Sequence, residues 1–177
     1  MIFGPISGGH FNPVVSICDA IEGGLSWPLA VAYVFVQISG ALAGVFAAHA
    51  MFGLPLVFVS HHVRSGAAQW FAEFVATFGL LAVIWGTIRY RSSLVPFTVA
   101  AYIVAAYWFT ASTSFANPAV TIARSLTDTF SGIRPLDVAP FTVAQILGAL
   151  CATALFAWLV PNMRTQAMRM LLPRADP

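Results

Sequence analysis

The sequence predicts an all-α membrane protein in which two helices are too short to cross a bilayer. Its 177 residues are 59% hydrophobic and 8% charged, whereas a soluble domain carries roughly 25% charged residues. Two near-copies of one motif, Asn12-Pro13-Val14 and Asn117-Pro118-Ala119, begin 105 residues apart in apolar sequence. Asn followed by Pro is typical of a helix start. Each motif therefore predicts a helix whose unpaired amides face the preceding loop.

Four stretches are long and apolar enough to cross a hydrocarbon core of roughly 30 Å, which takes about 20 residues of helix. Arginines lie mostly on one side of these stretches, since Arg89 and Arg91 fall in one connection and three more follow the last stretch. The positive-inside rule makes that side cytoplasmic. We expect a multi-pass protein of the cell membrane with spans at 28–51, 67–88, 94–111 and 138–160 and a cytoplasmic tail at 161–177.

The helices that follow the two motifs, at 12–21 and 117–128, are about half as long as a span. Ten residues of helix rise about 15 Å. In lipid, the backbone N–H and C=O groups at the ends of such a helix would have no hydrogen-bond partners. Each half-helix must therefore be sheltered by other helices or line a water-filled cavity. Interrupted helices in corresponding halves of a chain indicate a transport site. We interpret 1–177 as one transmembrane channel domain with re-entrant segments at 1–27 and 112–128.

An internal repeat extends beyond the two motifs. Residues 36–42 (VQISGAL) recur as 144–150 (AQILGAL), on the span that follows each half-helix. The second half of the chain thus contains span, span, half-helix and span, while the first half contains only a half-helix and a span. The repeat predicts that the first two transmembrane helices are missing and that the chain is truncated at its amino terminus.

The paired motifs and the repeated Gln-x-x-Gly-Ala spans resemble the aquaporin and aquaglyceroporin family, the major intrinsic proteins. Residues 4–13 (GPISGGHFNP) are similar to its first re-entrant loop, and 114–119 (SFANPA) to its second. The resemblance implies an aquaporin-like right-handed bundle of six spans, with two half-helices that meet at mid-membrane. It also implies a homotetramer with one channel per subunit, for water and small neutral solutes.

The two motifs offer hydrogen bonds to a neutral solute and a barrier to a cation. Asn12 and Asn117 each cap a half-helix, and we expect their amides to donate into a narrow passage. Loop carbonyls would form a row of acceptors, whereas a cation would meet two positive helix ends and a desolvation penalty. The candidate carbonyls are those of six loop residues: Gly8, Gly9, His10, Thr113, Phe115 and Ala116.

The predicted selectivity filter lacks the family's usual charge. Val120 stands where the family usually has Arg after the second motif, and the other readable positions are Ser114 and Ala105. Small or apolar groups imply a filter wide enough for glycerol or for trivalent metalloid acids such as arsenite. The run 117–124 (NPAVTIAR) resembles bacterial members associated with arsenic resistance.

Three further positions carry expectations. Glu73 is the one acidic residue inside a predicted long span, and the resemblance implies that it accepts hydrogen bonds from the second re-entrant loop. Arg124 either forms a charged ring at the outer mouth, or it snorkels or pairs with Asp128. Val14 replaces the family's Ala, and its methyl groups either separate the two motifs or narrow the midplane.

Other function classes fit the sequence less well. No basic stripe indicates nucleic acid, no catalytic arrangement indicates an enzyme, and no cofactor is implied. His61-His62 are read as a solvated pair rather than a metal site. A secondary transporter would need more ionisable residues within its spans. A truncated remnant that conducts nothing stays an alternative.

Overall fold

The computed structural model describes residues 2–160, and within them it is all-helical. The predicted tail at 161–177 lies outside the described residues. Short helix α1 and half-helix α2 precede the long helices α3 and α4, and a 3₁₀ turn at Ser92–Leu94 leads into α5. Half-helix α6 and the long helix α7 follow. Their bounds are α1 Gly4–Ser7, α2 Pro13–Ile21, α3 Trp27–Met51, α4 Ala67–Arg91, α5 Val95–Phe109, α6 Pro118–Arg124 and α7 Pro135–Leu159.

Three helical stretches within residues 2–160 have the length and hydropathy to cross a membrane, and one of them is Ala67–Phe109, which contains both α4 and α5. That stretch is a hairpin, because α5 folds back along α4. The Thr87 and Thr98 hydroxyls lie 3.1 Å apart, and the Tyr102 hydroxyl donates to the Ala76 carbonyl over 2.9 Å. The predicted span at 94–111 was too long, since α5 has 15 residues and ends at Phe109.

The core of the bundle is the crossing of α4 and α7, where backbones pack against each other. A Cβ at Gly148 would collide with the carbonyl oxygen of Phe74. Around this point lie the fully buried side chains of Ala76, Leu81 and Ala152. Small residues permit this close approach of helices in a membrane, so the small residues of the repeated segment on α7 have a packing role.

One of the two half-helices is shorter than predicted. α2 has the expected end at Ile21, but α6 ends at Arg124 and not at 128. The chain turns at this point because the connection between α3 and α4 takes up the next carbonyls. The backbone amide of Ser60 donates to the Ser125 carbonyl, and that of Phe58 donates to the Leu126 carbonyl. The short helix α1 was not predicted.

The repeat supplies a matched pair of glycine substitutions. We expect Gly148→Ala to destabilise the protein by about 1–3 kcal/mol, because the added methyl group forces two backbones apart. Its repeat partner Gly40 has nothing within 4 Å of an added Cβ, so Gly40→Ala should be neutral or mildly stabilising. Thermal unfolding in detergent micelles measures both. Equal losses for the two variants would contradict this packing.

Candidate functional site

Each half-helix begins at an Asn whose side chain caps it. The Oδ1 of Asn12 accepts from the Val14 amide over 3.2 Å. The Oδ1 of Asn117 accepts from the Ala119 and Val120 amides over 3.0 and 3.3 Å. Both Asn residues have extended backbones and precede Pro. The motif thus encodes two helix starts by local chemistry alone.

The two caps are also bonded to each other's loops. The Nδ2 of Asn12 donates to the Ala116 carbonyl over 2.7 Å, and the Nδ2 of Asn117 donates to the Phe11 carbonyl over 2.9 Å. This reciprocal pair brings the amino-terminal ends of α2 and α6 together. An amide nitrogen has two hydrogens, and one on each Asn is used here. One hydrogen on each amide is thus used within the protein, and the other has no acceptor among the described residues.

Some of the predicted carbonyl acceptors also have protein donors. The Ala116 carbonyl accepts from Asn12, and the His10 carbonyl accepts from the Nε2 of Gln37 over 3.1 Å. Each carbonyl oxygen has two lone pairs, so a solute could use only the second. At Ala116 and His10, therefore, only one of the two lone pairs of the predicted carbonyl acceptor is available to a solute.

A second pair of interactions, which sequence reasoning missed, repeats in both halves. The Ser16 hydroxyl donates to the Asn12 carbonyl over 3.3 Å, and the Nε2 of Gln37 donates to that hydroxyl over 2.9 Å. In the second half, the Thr121 hydroxyl donates to the Asn117 carbonyl over 2.9 Å, and the Nε2 of Gln145 donates to the Thr121 hydroxyl over 2.8 Å. The signal was present as a hydroxyl four residues after each Asn.

The loops before the two Asn residues wind in the left-handed region. In the first loop, Gly8 and Gly9 have φ of 71° and 70°, and the positions 105 residues later are Thr113 and Ser114, with φ of 61° and 49°. Ala116 also has a φ of 47°. Glycine adopts this conformation freely, whereas other residues lose roughly 1–2 kcal/mol each. The second loop therefore requires stronger support.

Glu73 contributes to that support. Its carboxylate is fully buried on α4 and accepts from the backbone amides of Phe115 and Ala116 over 2.8 and 2.9 Å. It also accepts from the Nε2 of Gln145 over 2.6 Å. A carboxylate with several hydrogen-bond donors tolerates burial far better than a bare one.

Arg64 also holds this loop, and no sequence pattern marked it beyond its place in a connection. Its side chain is buried, and its guanidinium donates to the carbonyls of Ser112, Phe130 and Gly132 over 2.7–3.0 Å. It lies 4.8 Å from the centroid of the Phe115 ring. Burial lowers the pKa of Arg64, and the nearby charge of Arg124 lowers it further.

The three predicted filter residues differ in solvent exposure. Ala105 is exposed and Val120 is half-buried, but only 3% of Ser114 is exposed. The Oγ of Ser114 is buried without a hydrogen-bond partner among the described residues. The Ser114 side chain thus contributes little accessible surface. Val14 is also buried and packs in the core with Ala116.

Arg124 does not form the ion pair that one interpretation predicted. Its Nη2 donates to the Tyr107 hydroxyl over 3.0 Å, and its guanidinium lies 4.3 Å from the Phe115 centroid. Asp128 instead accepts from the backbone amide and the Nδ1 of His61 over 2.8 and 3.2 Å. These bonds hold the pKa of Asp128 below its usual range. The pair with Asp128 was therefore the wrong alternative for Arg124.

Comparison with known proteins identifies the family. The model of the family "Major intrinsic protein" matches residues 1–111 and 94–175. The chain belongs to the major intrinsic protein family. Aquaglyceroporin AqpS of Rhizobium meliloti (strain 1021) is 55% identical over 163 residues, which cover 92% of this chain and 70% of that protein. Members of the family are channels and not enzymes, and this major intrinsic protein is a passive channel for water and small solutes.

More distant major intrinsic proteins match shorter parts of the chain. Aquaporin NIP1-3 of Oryza sativa subsp. japonica is 33% identical over 130 residues, which cover 70% of this chain and 46% of that protein. Aquaporin-8 of Notomys alexis is 51% identical over 41 residues, which cover 23% of this chain and 16% of that protein. No solved structure matches the chain significantly.

Glu73 gives a test of how the second loop is held. In Glu73→Gln, an amide group replaces one carboxylate oxygen and faces backbone donors, so a buried N–H loses its acceptor. We expect a loss of about 1–3 kcal/mol, measured by unfolding in detergent. Glu22 is buried at the end of α2 without a side-chain hydrogen bond among the described residues, so Glu22→Gln is the matched control. If the Glu73 variant were as stable as this control, Glu73 would not stabilise the second loop.

Proposed function

We propose that the cross-bonded ends of α2 and α6 form the midplane of a pore for neutral solutes larger than water, such as glycerol and trivalent metalloid acids. The reciprocal bonds between Asn12 and Ala116 and between Asn117 and Phe11 carry this proposal. They bring two helix amino termini to one point, where each Asn retains one amide hydrogen. A passing hydroxyl group can accept these hydrogens in place of water.

The same junction accounts for the exclusion of cations. Each half-helix carries a partial positive charge at its amino terminus, and two such ends converge here. A cation would lose its hydration shell and face this charge without a compensating carboxylate. Glu73 does not supply one to the passage, because it is fully buried and accepts three hydrogen bonds from the protein.

The filter chemistry favours solutes wider than water. Val120 and Ala105 present small apolar surfaces, and Val120 lacks the charged side chain that narrows the filter in many relatives. The Rhizobium relative is named an aquaglyceroporin, which supports glycerol as a solute. Arsenious acid, the protonated form of arsenite, has three hydroxyl groups and no charge at neutral pH. It therefore belongs to the same chemical class as glycerol, the neutral polyhydroxylated solutes.

We also propose that the pore assembles as a homotetramer in the cell membrane. Large apolar side chains are exposed along α3 and α5, including Phe35, Val104 and Trp108. Lipid and neighbouring copies of the chain would cover such surfaces. A secondary transporter is disfavoured, since both carboxylates within the long helices are engaged by the protein: Glu73 accepts three hydrogen bonds, and Asp137 accepts from Arg64 and Arg134.

Flux measurements test the proposal. The protein is reconstituted in liposomes, and shrinkage followed by reswelling in hyperosmotic glycerol gives water and glycerol permeability. Arsenite entry is measured by elemental analysis. We expect all three rates to exceed those of empty liposomes, with the potassium rate unchanged. Glycerol and arsenite rates equal to the control would overturn the proposal, and no flux at all would establish the non-conducting alternative.

A filter substitution adds a sharper prediction. We expect Val120→Arg to lower glycerol and arsenite permeability at least tenfold, because a long charged side chain enters the accessible face of α6. Water permeability should change much less, since water is smaller than the remaining gap. Val120→Ile is the uncharged control and should retain most glycerol flux. A Val120→Arg protein that conducts glycerol at the original rate would contradict the placement of the filter.

A further inference from the structure

Arg124 lies on the same face of α6 as the proposed pore residues. Asn117, Val120 and Arg124 are spaced three and four residues apart and are all half-buried, whereas the side chains between them, Ile122 excepted, pack inward. The inward residues are Ala119, Thr121 and Ala123, each at most 2% exposed. One accessible stripe therefore runs from the cap at Asn117 past Val120 to Arg124, one helical turn beyond the filter.

Only one of the two terminal nitrogens of the Arg124 guanidinium has a hydrogen-bond acceptor among the described residues. Its Nη2 donates to the Tyr107 hydroxyl, and its plane lies against Phe115. Its Nη1 is buried and has no acceptor among the described residues. No carboxylate within residues 2–160 forms a salt bridge with it. A buried charged donor without an acceptor is unfavourable, so an oxygen atom from outside the chain would complete its hydrogen bonds.

Arg64 provides the internal comparison. Both guanidinium groups lie against the same Phe115 ring. Arg64 is buried, and its side chain donates to three backbone carbonyls. It therefore has a structural role. Arg124 has one hydroxyl partner, lies on the accessible stripe and retains donor capacity. The two arginines are chemically alike, yet their surroundings assign them different tasks.

We propose that Arg124 is a specificity-determining residue, which donates a hydrogen bond to a hydroxyl oxygen of a neutral polyhydroxylated solute just outside Val120. It supplies the donor that a valine filter lacks, from a position one turn farther out. Nη1 is buried in the structure, so the proposal requires the guanidinium to move away from Tyr107 when a solute binds. Tyr107 is thus a positioning residue that holds Arg124 between passages. This inference rests on the proposed pore and assigns part of its selectivity.

The test compares the ratio of glycerol to water permeability in reconstituted protein. We expect Arg124→Met to lower this ratio about tenfold, since a charged hydrogen bond to the solute is lost while side-chain length is similar. Arg124→Lys retains the charge and a donor, and its ratio should lie between the two. Asp128→Asn is the control for an ion-pair role, and its ratio should stay at the original value.

The outcomes separate this inference from the proposed function. If the unaltered protein conducts no glycerol, the proposed function and this inference both fail. If it conducts glycerol and Val120→Arg blocks it, but Arg124→Met retains the ratio within twofold, only the Arg124 inference fails. A shift in Asp128→Asn as large as in Arg124→Met would also overturn it. Should Arg124→Met fail to fold, Arg124→Lys decides, and an unchanged ratio in that variant counts against the inference.

Discussion

The site depends on one constraint, the reciprocal hydrogen bonds by which each Asn cap donates to a backbone carbonyl of the other loop. The amino termini of two helices repel each other electrostatically, and in a membrane no bulk water screens them. Each Asn overcomes part of this cost with two different atoms. Its Oδ1 caps its own helix, and its Nδ2 binds the carbonyl that precedes the other cap. An Asp at either position would cap the helix but could not donate, so the amide is required.

The two halves of the site reach the same backbone shape by different means. The first loop uses Gly8 and Gly9 where the backbone turns left-handed, and the second uses Thr113 and Ser114. The cost of those side chains is offset by buried groups on other segments, since Glu73 accepts the loop amides and Arg64 binds the Ser112 carbonyl. Glycine keeps a loop adaptable, whereas a strained loop under a carboxylate and a guanidinium is held in one conformation.

In the proposed pore, charge lies beside the filter positions and not on them. Val120 and Ala105 are apolar, while the guanidinium groups of Arg64 and Arg124 lie against Phe115. Positive charge at an outer position repels cations before they are desolvated, and an apolar filter leaves room for a solute with several hydroxyl groups. The half-helix ends then act at the midplane. Selection by charge and selection by size therefore occur at different depths in the proposed pore.

The sequence by itself determined the features that depend on local chemistry. Composition predicted a membrane protein, each Asn-Pro pair predicted a helix start, and the repeat at Gln37 and Gln145 indicated that the halves correspond. Only the tertiary structure decided which groups meet. The partners of Arg64, the burial of Ser114 and the pairing of Asp128 with His61 depend on contacts between residues far apart in the chain. No periodicity encodes such contacts, because they arise from the packing of separate segments. For the same reason, the sequence left the partner of Arg124 open, and the fold excluded the pair with Asp128 by placing Tyr107 and Phe115 beside Arg124.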